Sequence, residues 1–164
     1  MMTAVVLVPN RTRGEACEVA RAAAAWLAGQ GVEVRLPAAE AQACGLAELA
    51  CAAERITDGA DLVVSIGGDG TMLSTVQMVY PAPVPVIGVN AGHLGYLSEL
   101  EPDDLVAVLP RLVAGEFEVS ERMMLAVEVV SGGPAAGVYH ALNEVVLERL
   151  RTGHTIRLEA EING

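Results

Sequence analysis

Five consecutive residues, Gly67, Gly68, Asp69, Gly70 and Thr71, enclose one carboxylate in a run of glycines within the segment SIGGDGT at 65–71. Glycine removes the side chain where backbone must turn sharply or come close to a ligand. If a helix starts directly afterwards, its unpaired N–H groups and the positive end of its dipole face whatever enters the loop, and a phosphate suits that place. Asp69 can there accept a proton from a sugar hydroxyl or hold a divalent metal on phosphate oxygens. The plainer alternative is a glycine-rich turn in which Asp69 caps the helix through Thr71 or a neighbour. Three glycines around one acid favour the functional reading, because loops on a rigid scaffold are where function concentrates.

Other polar residues carry weaker signals. Asn90 closes the run PVPVIGVN at 83–90 and is placed to order the following loop, in which His93 can line a cleft. Asn143 and Glu144 are neighbours in a β-type run, and a regular strand would aim them at opposite faces. Both can serve one ligand only at a bulge, at a strand end or through backbone atoms, so an irregularity is expected there. The alternative is an amphipathic strand with Glu144 solvated. His140 decorates the strand before that pair, and His154, taken alone, reads as a surface or strand histidine. Cys17, Cys44 and Cys51 are odd in number, lack metal-type spacing and sit in alanine-rich helical segments, so they read as small buried thiols. No residue is assigned as a metal ligand.

The elements that must position these residues alternate. AVVLV at 4–8 reads as a strand, 14–29 as a helix, VEVRL at 32–36 as a strand and 40–55 as a helix before the turn at Asp58 and Gly59. ADLVVSI at 60–66 is almost wholly apolar, as in a central strand covered on both faces. Residues 71–79 continue as a short helix, and 83–90 return as a strand with its prolines confined to the entrance. A helix follows at 102–115, opened by Pro102 and kinked or ended by Pro110.

Four strands alternating with helices predict the α/β class, with a doubly wound, Rossmann-like parallel sheet that takes ligands at the carboxyl ends of its strands. Beyond Glu116 the style changes to β-type runs at 125–130, 137–148 and 154–162 with no helix between them. The expected organisation is a nucleotide-binding α/β domain at 1–118 and the start of an all-β domain at 119–164. That second domain is expected to be truncated, because Asn163-Gly164 signals a hairpin turn and no returning strand follows.

Composition narrows the partners. The chain has 164 residues and a net charge of -11, from 21 acidic and 10 basic side chains, which argues against nucleic acid or an anionic membrane. A nucleotide remains compatible, because local backbone donors and a metal outweigh long-range repulsion. The uncharged stretch from Gly70 to Ser98 contains Pro81, Pro83 and Pro85 and is no credible membrane span. The N-terminus lacks a basic leader and a long apolar core, so it reads as a first strand and the cytoplasm is the expected location.

The motifs resemble those of a known family. GGDGT at 67–71 is similar to the signature shared by NAD kinases and the diacylglycerol and sphingosine kinases. IGVNAGHLGYLSEL at 87–100 resembles the NAD kinase pattern of a strand ending in G-x-N, a glycine-rich loop and a G-F-L-T-E type segment. ALNEVVLE at 141–148 resembles that family's N-E/D motif, so three motifs occur in the expected order.

The resemblance implies phosphorylation of NAD to NADP from ATP or polyphosphate with a divalent metal, normally magnesium, in a homodimer or homotetramer. Asp69 would be the general base on the adenosine ribose 2'-hydroxyl. Gly67, Gly68, Gly70, Thr71, Asn90, Tyr96, Asn143, Glu144 and His154 would contact nucleotide, with the Tyr96 ring against adenine where the family usually has phenylalanine. The other reading of Tyr96 is a core aromatic with a wet hydroxyl. The family's later D-G and G-S-T-A-Y type motifs do not occur in the chain. The rival readings are a lipid or other small-hydroxyl kinase of the same superfamily, or a non-catalytic nucleotide-binding fragment.

Overall fold

The computed structural model of the chain describes residues 2–92, 95–130, 135–148, 153, 155, 157 and 159–162. They divide into two compact units, Met1–Arg122 and Met123–Gly164.

The first unit is built on five parallel strands: β1 (Ala4–Pro9), β2 (Glu33–Pro37), β3 (Ala50–Cys51), β4 (Leu62–Gly67) and β5 (Val86–Asn90). Their order is β3-β2-β1-β4-β5, so chain direction across the sheet reverses between β1 and β4. The helices are α1 (Gly14–Gly29), α2 (Ala38–Ala43), α3 (Asp69–Val79) and α4 (Leu105–Ala114). β1 and β4 are buried along their whole length, which explains their continuous apolar composition.

Alternation divides the two central strands between two apolar layers. Val5 and Leu7 of β1 and Leu62, Val64 and Ile66 of β4 pack with α1 and α4. Val6, Val8 and Val63 face the other side with Ile56 and with Val79 of α3. Alanines at 16, 20, 23 and 24 give α1 a small-residue face against the sheet. Ser65 falls on the α3 side and accepts a buried hydrogen bond from Thr75 Oγ1 at 3.1 Å, so the one polar residue inside β4 is satisfied.

Several expectations are corrected. The helix expected at 40–55 is only α2 at Ala38–Ala43, followed by Gly45 at φ 71° and by two short 3-10 turns that flank β3. Left-handed backbone at Gly45 ends the helix, and the alanine-rich composition hid a two-residue edge strand. Pro110 lies inside α4, which runs on to Ala114 and stops at left-handed Gly115, φ 79°. The thiols expected to be free are two bonded and one free: Cys17 of α1 and Cys44 at the end of α2 form a disulfide with Cα atoms 4.9 Å apart, and Cys51 is free. No helix among the described residues is long and apolar enough to cross a membrane.

The second unit holds an antiparallel pair, β6 (Leu125–Val129) and β7 (Gly137–Ala141). The run expected as a strand over 137–148 stops at Ala141, which pairs with Leu125, the first residue of β6. Beyond it no partner strand occurs among the described residues. The described residues among 154–162 form no strand, and the hairpin expected at Asn163-Gly164 lies outside the described residues.

Candidate functional site

The glycine loop leaves the carboxyl end of β4 at the reversal of strand order, where open α/β sheets hold their ligands. Gly67 is the last strand residue, Gly68 is the N-cap of α3 at φ -93° and ψ -172°, and Asp69 is in the first turn. Gly67 is a steric requirement: a Cβ there would strike the Thr71 hydroxyl and stand 3.1 Å from Asn10 Cβ. At Gly68 and Gly70 an added Cβ meets nothing within 4 Å. Their missing side chains leave space at the surface of the loop.

The Asp69 carboxylate does not cap its own helix. Oδ2 accepts the backbone N–H of Tyr96 and Oδ1 that of Leu97, each at 3.1 Å. A Cβ on Gly95 would stand 2.6 Å from Oδ1, so glycine at 95 is what lets the second loop close on the acid. Carboxylate oxygens have further lone pairs, so both remain able to accept a hydroxyl hydrogen.

The second loop is anchored at both ends. Asn90 donates its backbone N–H to Leu100, and Gly88 accepts the N–H groups of Glu99 and Leu100 at 3.0 and 3.1 Å. Gly88 permits that return, because a Cβ there would come within 2.9 Å of Ser98 Cα. The Asn90 side chain is buried and donates Nδ2 to Glu101 at 3.5 Å, while its Oδ1 has no partner among the described residues. It ties the entry of the loop to its exit and is turned away from solvent.

Tyr96 is 95% exposed, which removes the core-aromatic reading and leaves the ring open to a flat ligand. Asn143 and Glu144 are exposed in the second unit, just past the end of β7, with a bend at 142–143. The expected irregularity is thus a strand end, and alternation no longer forces the two side chains apart. His140 pairs with Ala126 in the β6–β7 ladder. His93 and His154 lie outside the described residues.

The β1–α1 loop completes the first unit's site. Asn10 Oδ1 accepts from the Thr12 N–H and hydroxyl at 3.1 and 2.7 Å, and Asn10 Nδ2 donates to Thr71 Oγ1 at 3.3 Å. This asparagine braces its own turn and locks it to the glycine loop. Between the two loops lies an open cleft of about 460 Å³, walled by residues 8–13, Glu40, Gly68, Gly70, Thr71 and Ser74. Arg13 reaches from it to the Ala91 carbonyl at 3.5 Å. The sequence VPNRTRGEA at 8–16 already places Asn10 and Arg11 in a βα loop near the cleft; Arg13 is the residue it does not single out, and the available signal was a second arginine in that loop of an acidic chain.

Comparison with known proteins agrees with this geometry. Residues 5–117 match the ATP-NAD kinase N-terminal domain, and the chain belongs to that family. It is 38% identical to the NAD kinase of Heliobacterium modesticaldum over 164 residues, 98% of this chain and 56% of that protein. To the NAD kinase of Nitrosomonas europaea it is 43% identical over 111 residues, 68% of this chain and 38% of that protein. The chain spans about half the length of the curated relatives it matches. The crystal structure of yeast NADH kinase complexed with NADH shares the fold, with TM-score 0.68 and 22% identity over 87% of this chain and 47% of that one.

Proposed function

We propose that this chain is the nucleotide-binding part of an NAD kinase, which transfers the terminal phosphate of ATP or polyphosphate to the adenosine ribose 2'-hydroxyl of NAD. The observation that carries the reading is the Asp69 carboxylate, held by the Tyr96 and Leu97 amides at the reversal of strand order. In this mechanism Asp69 takes the 2'-hydroxyl proton as that oxygen attacks the terminal phosphorus, and the donor leaves one phosphate shorter. Such transfers gain mostly from alignment and charge neutralisation, so a fixed carboxylate matters more than a strong base. The exposed Tyr96 ring offers a stacking face for adenine. Asn143, Glu144 and His154 are proposed contacts of the dinucleotide, and Gly67, Gly68, Gly70 and Thr71 contacts of phosphate.

A divalent ion, normally magnesium, belongs to the same proposal. Among the described residues no three His, Cys, Asp or Glu side chains converge, which suits an ion held chiefly by the donor's phosphate oxygens and water, with Asp69 as the nearby carboxylate. When bound, it would neutralise charge on the transferred phosphate. We place the protein in the cytoplasm as a homodimer or homotetramer, with the α/β domain at 1–118. The charged side chains Arg11, Arg13 and Glu40 in the wall of the cleft do not favour a lipid acceptor.

The test is NADP formation from NAD, ATP and magnesium by the chain and its Asp69→Asn variant, with NAD binding followed by calorimetry. Turnover that disappears in the variant supports the proposal. Equal turnover in both would remove Asp69 from the chemistry, and NAD binding without turnover in either would favour the non-catalytic reading.

A further inference from the structure

The Cys17–Cys44 bond joins two helices, each one turn beyond a charged residue of the cleft. Cys17 donates its backbone N–H to the Arg13 carbonyl at 3.3 Å, and Cys44 donates its own to the Glu40 carbonyl at 3.0 Å. The sulfur bridge therefore fixes where the β1–α1 loop, which carries Arg13, stands relative to α2, which carries Glu40. The two helices differ in what else holds them. α1 has 16 residues and buries Ala16, Ala20, Ala23, Ala24 and Leu27 against the sheet. α2 has six residues, buries Ala41 and has no side-chain cap at its start. A helix so short is unstable by itself. Arg21 Nη1 donates to the Cys44 carbonyl at 3.0 Å and is a further tie between the two. Cys51, the free thiol, packs with the apolar layer on the other face of the sheet from α1, so the bonded pair has no third thiol beside it.

We propose that Cys17 and Cys44 form a reversible redox latch on the cleft: oxidised, it holds the Glu40 wall in place, and reduced, it releases α2 while the sheet and α1 stay folded. Opening is a thiol–disulfide exchange. A small-molecule thiolate bonds to one sulfur of the pair and the other leaves as a thiolate. A second small-molecule thiolate then attacks the external sulfur of that mixed disulfide, releasing a small-molecule disulfide and the remaining cysteine. Two external thiols become one disulfide, the protein gains two electrons, and its two thiolates take up the protons that the external thiols gave up. Both sulfurs are on buried residues, so the attacking thiol enters through local opening of α2, the less firmly held helix. The latch concerns the wall alone and holds whatever ligand the cleft takes, so it stands apart from the kinase reading.

The test is amide hydrogen exchange on the 164-residue chain, poised in mixtures of glutathione and its disulfide, with free thiols counted by alkylation and mass. The count should rise from one to three as the mixture becomes reducing and return to one on reoxidation. Residues 38–44, the Cys44 amide included, should exchange about tenfold faster or more in the reduced chain, while the Cys17 amide and those of β1 and β4 change by less than about threefold. The Cys17→Ser, Cys44→Ser variant should exchange at the reduced chain's rate in every mixture. Equal exchange in the oxidised and reduced chain, protection lost across β1 and β4 together with α2, or a bond that forms and breaks only in denaturant would each overturn the proposal. None of these outcomes bears on NADP formation, which the Asp69→Asn comparison decides separately.

Discussion

Leu97 donates its backbone N–H to Asp69 Oδ1 at 3.1 Å across 28 residues of sequence, while Tyr96 does the same for Oδ2. The acid is thereby held from the second loop. The exposed ring offered to a flat ligand belongs to one of the residues that orient the carboxylate. In the proposed reaction, ligand stacking and alignment of the base would share this one short segment.

The contact with Gly95 makes this arrangement testable. An alanine there places a carbon 2.6 Å from Asp69 Oδ1, so the loop or the carboxylate must move. Gly95→Ala is expected to lower kcat for NADP formation by about a hundredfold, as misplacement by an ångström does. Steady-state kinetics with kcat and KM separated would check it, and unchanged kcat would show that the amides do not set the working position of Asp69.

The glycines of the loop should separate by mechanism. Gly67→Ala drives a carbon into Thr71 and towards Asn10, an overpacking expected to cost about 1 to 3 kcal/mol in denaturant unfolding. Gly68→Ala and Gly70→Ala meet open space and should stay within about 0.5 kcal/mol of the native chain. Any loss of phosphate binding in those two would then be a ligand effect. A large loss of stability in either would mean that the loop is packed more tightly than its geometry indicates.

Asp61 ties the starts of β1 and β4 together by accepting the N–H groups of Thr3 and Ala4 at 2.5 and 3.0 Å and the Thr3 hydroxyl at 3.1 Å. The two backbone bonds hold its carboxyl below the ordinary value of 3.8. With the folded pKa depressed, this stabilisation is present above about pH 4 and is lost as pH falls through the lower, folded value. Asp61→Asn should cost about 1 to 2 kcal/mol at pH 7, and the difference from the native chain should shrink in acid. Unfolding midpoints at pH 7 and pH 3 decide it, and an equal deficit at both would assign the cost to packing instead.

The Cys17–Cys44 bond closes a loop of 27 residues and should stabilise the first unit by about 3 kcal/mol in the chain-entropy account. Reductant is expected to lower the unfolding midpoint of the native chain and of Cys51→Ser alike. It should leave the Cys17→Ser, Cys44→Ser double variant unmoved. A double variant that still responds would place the redox-sensitive pair elsewhere.

The alternation of strand and helix, the buried character of β4 and the glycine turn from strand to helix at 67–71 were legible in the residues because they depend on local patterns. Apolar runs mark covered strands, glycines mark turns, and an acid among glycines marks a loop that meets a ligand. Composition misled where several conformations share it. The alanine-rich stretch after Ala43 holds a short edge strand, and the β-type run after Ala141 pairs with no strand among the described residues.

Pairings between distant residues were out of reach of such patterns. That Leu97 meets Asp69, that Asn10 braces Thr71, that Arg13 reaches Ala91 and that Cys17 bonds Cys44 follow from which elements lie side by side. The strand order β1-β4-β5 brings three loops together at one end of the sheet. A residue's type and its neighbours set what chemistry it can do, but only the packed sheet sets what it does it with, because hydrogen bonds and steric contacts act over a few ångströms of space and take no account of separation along the chain.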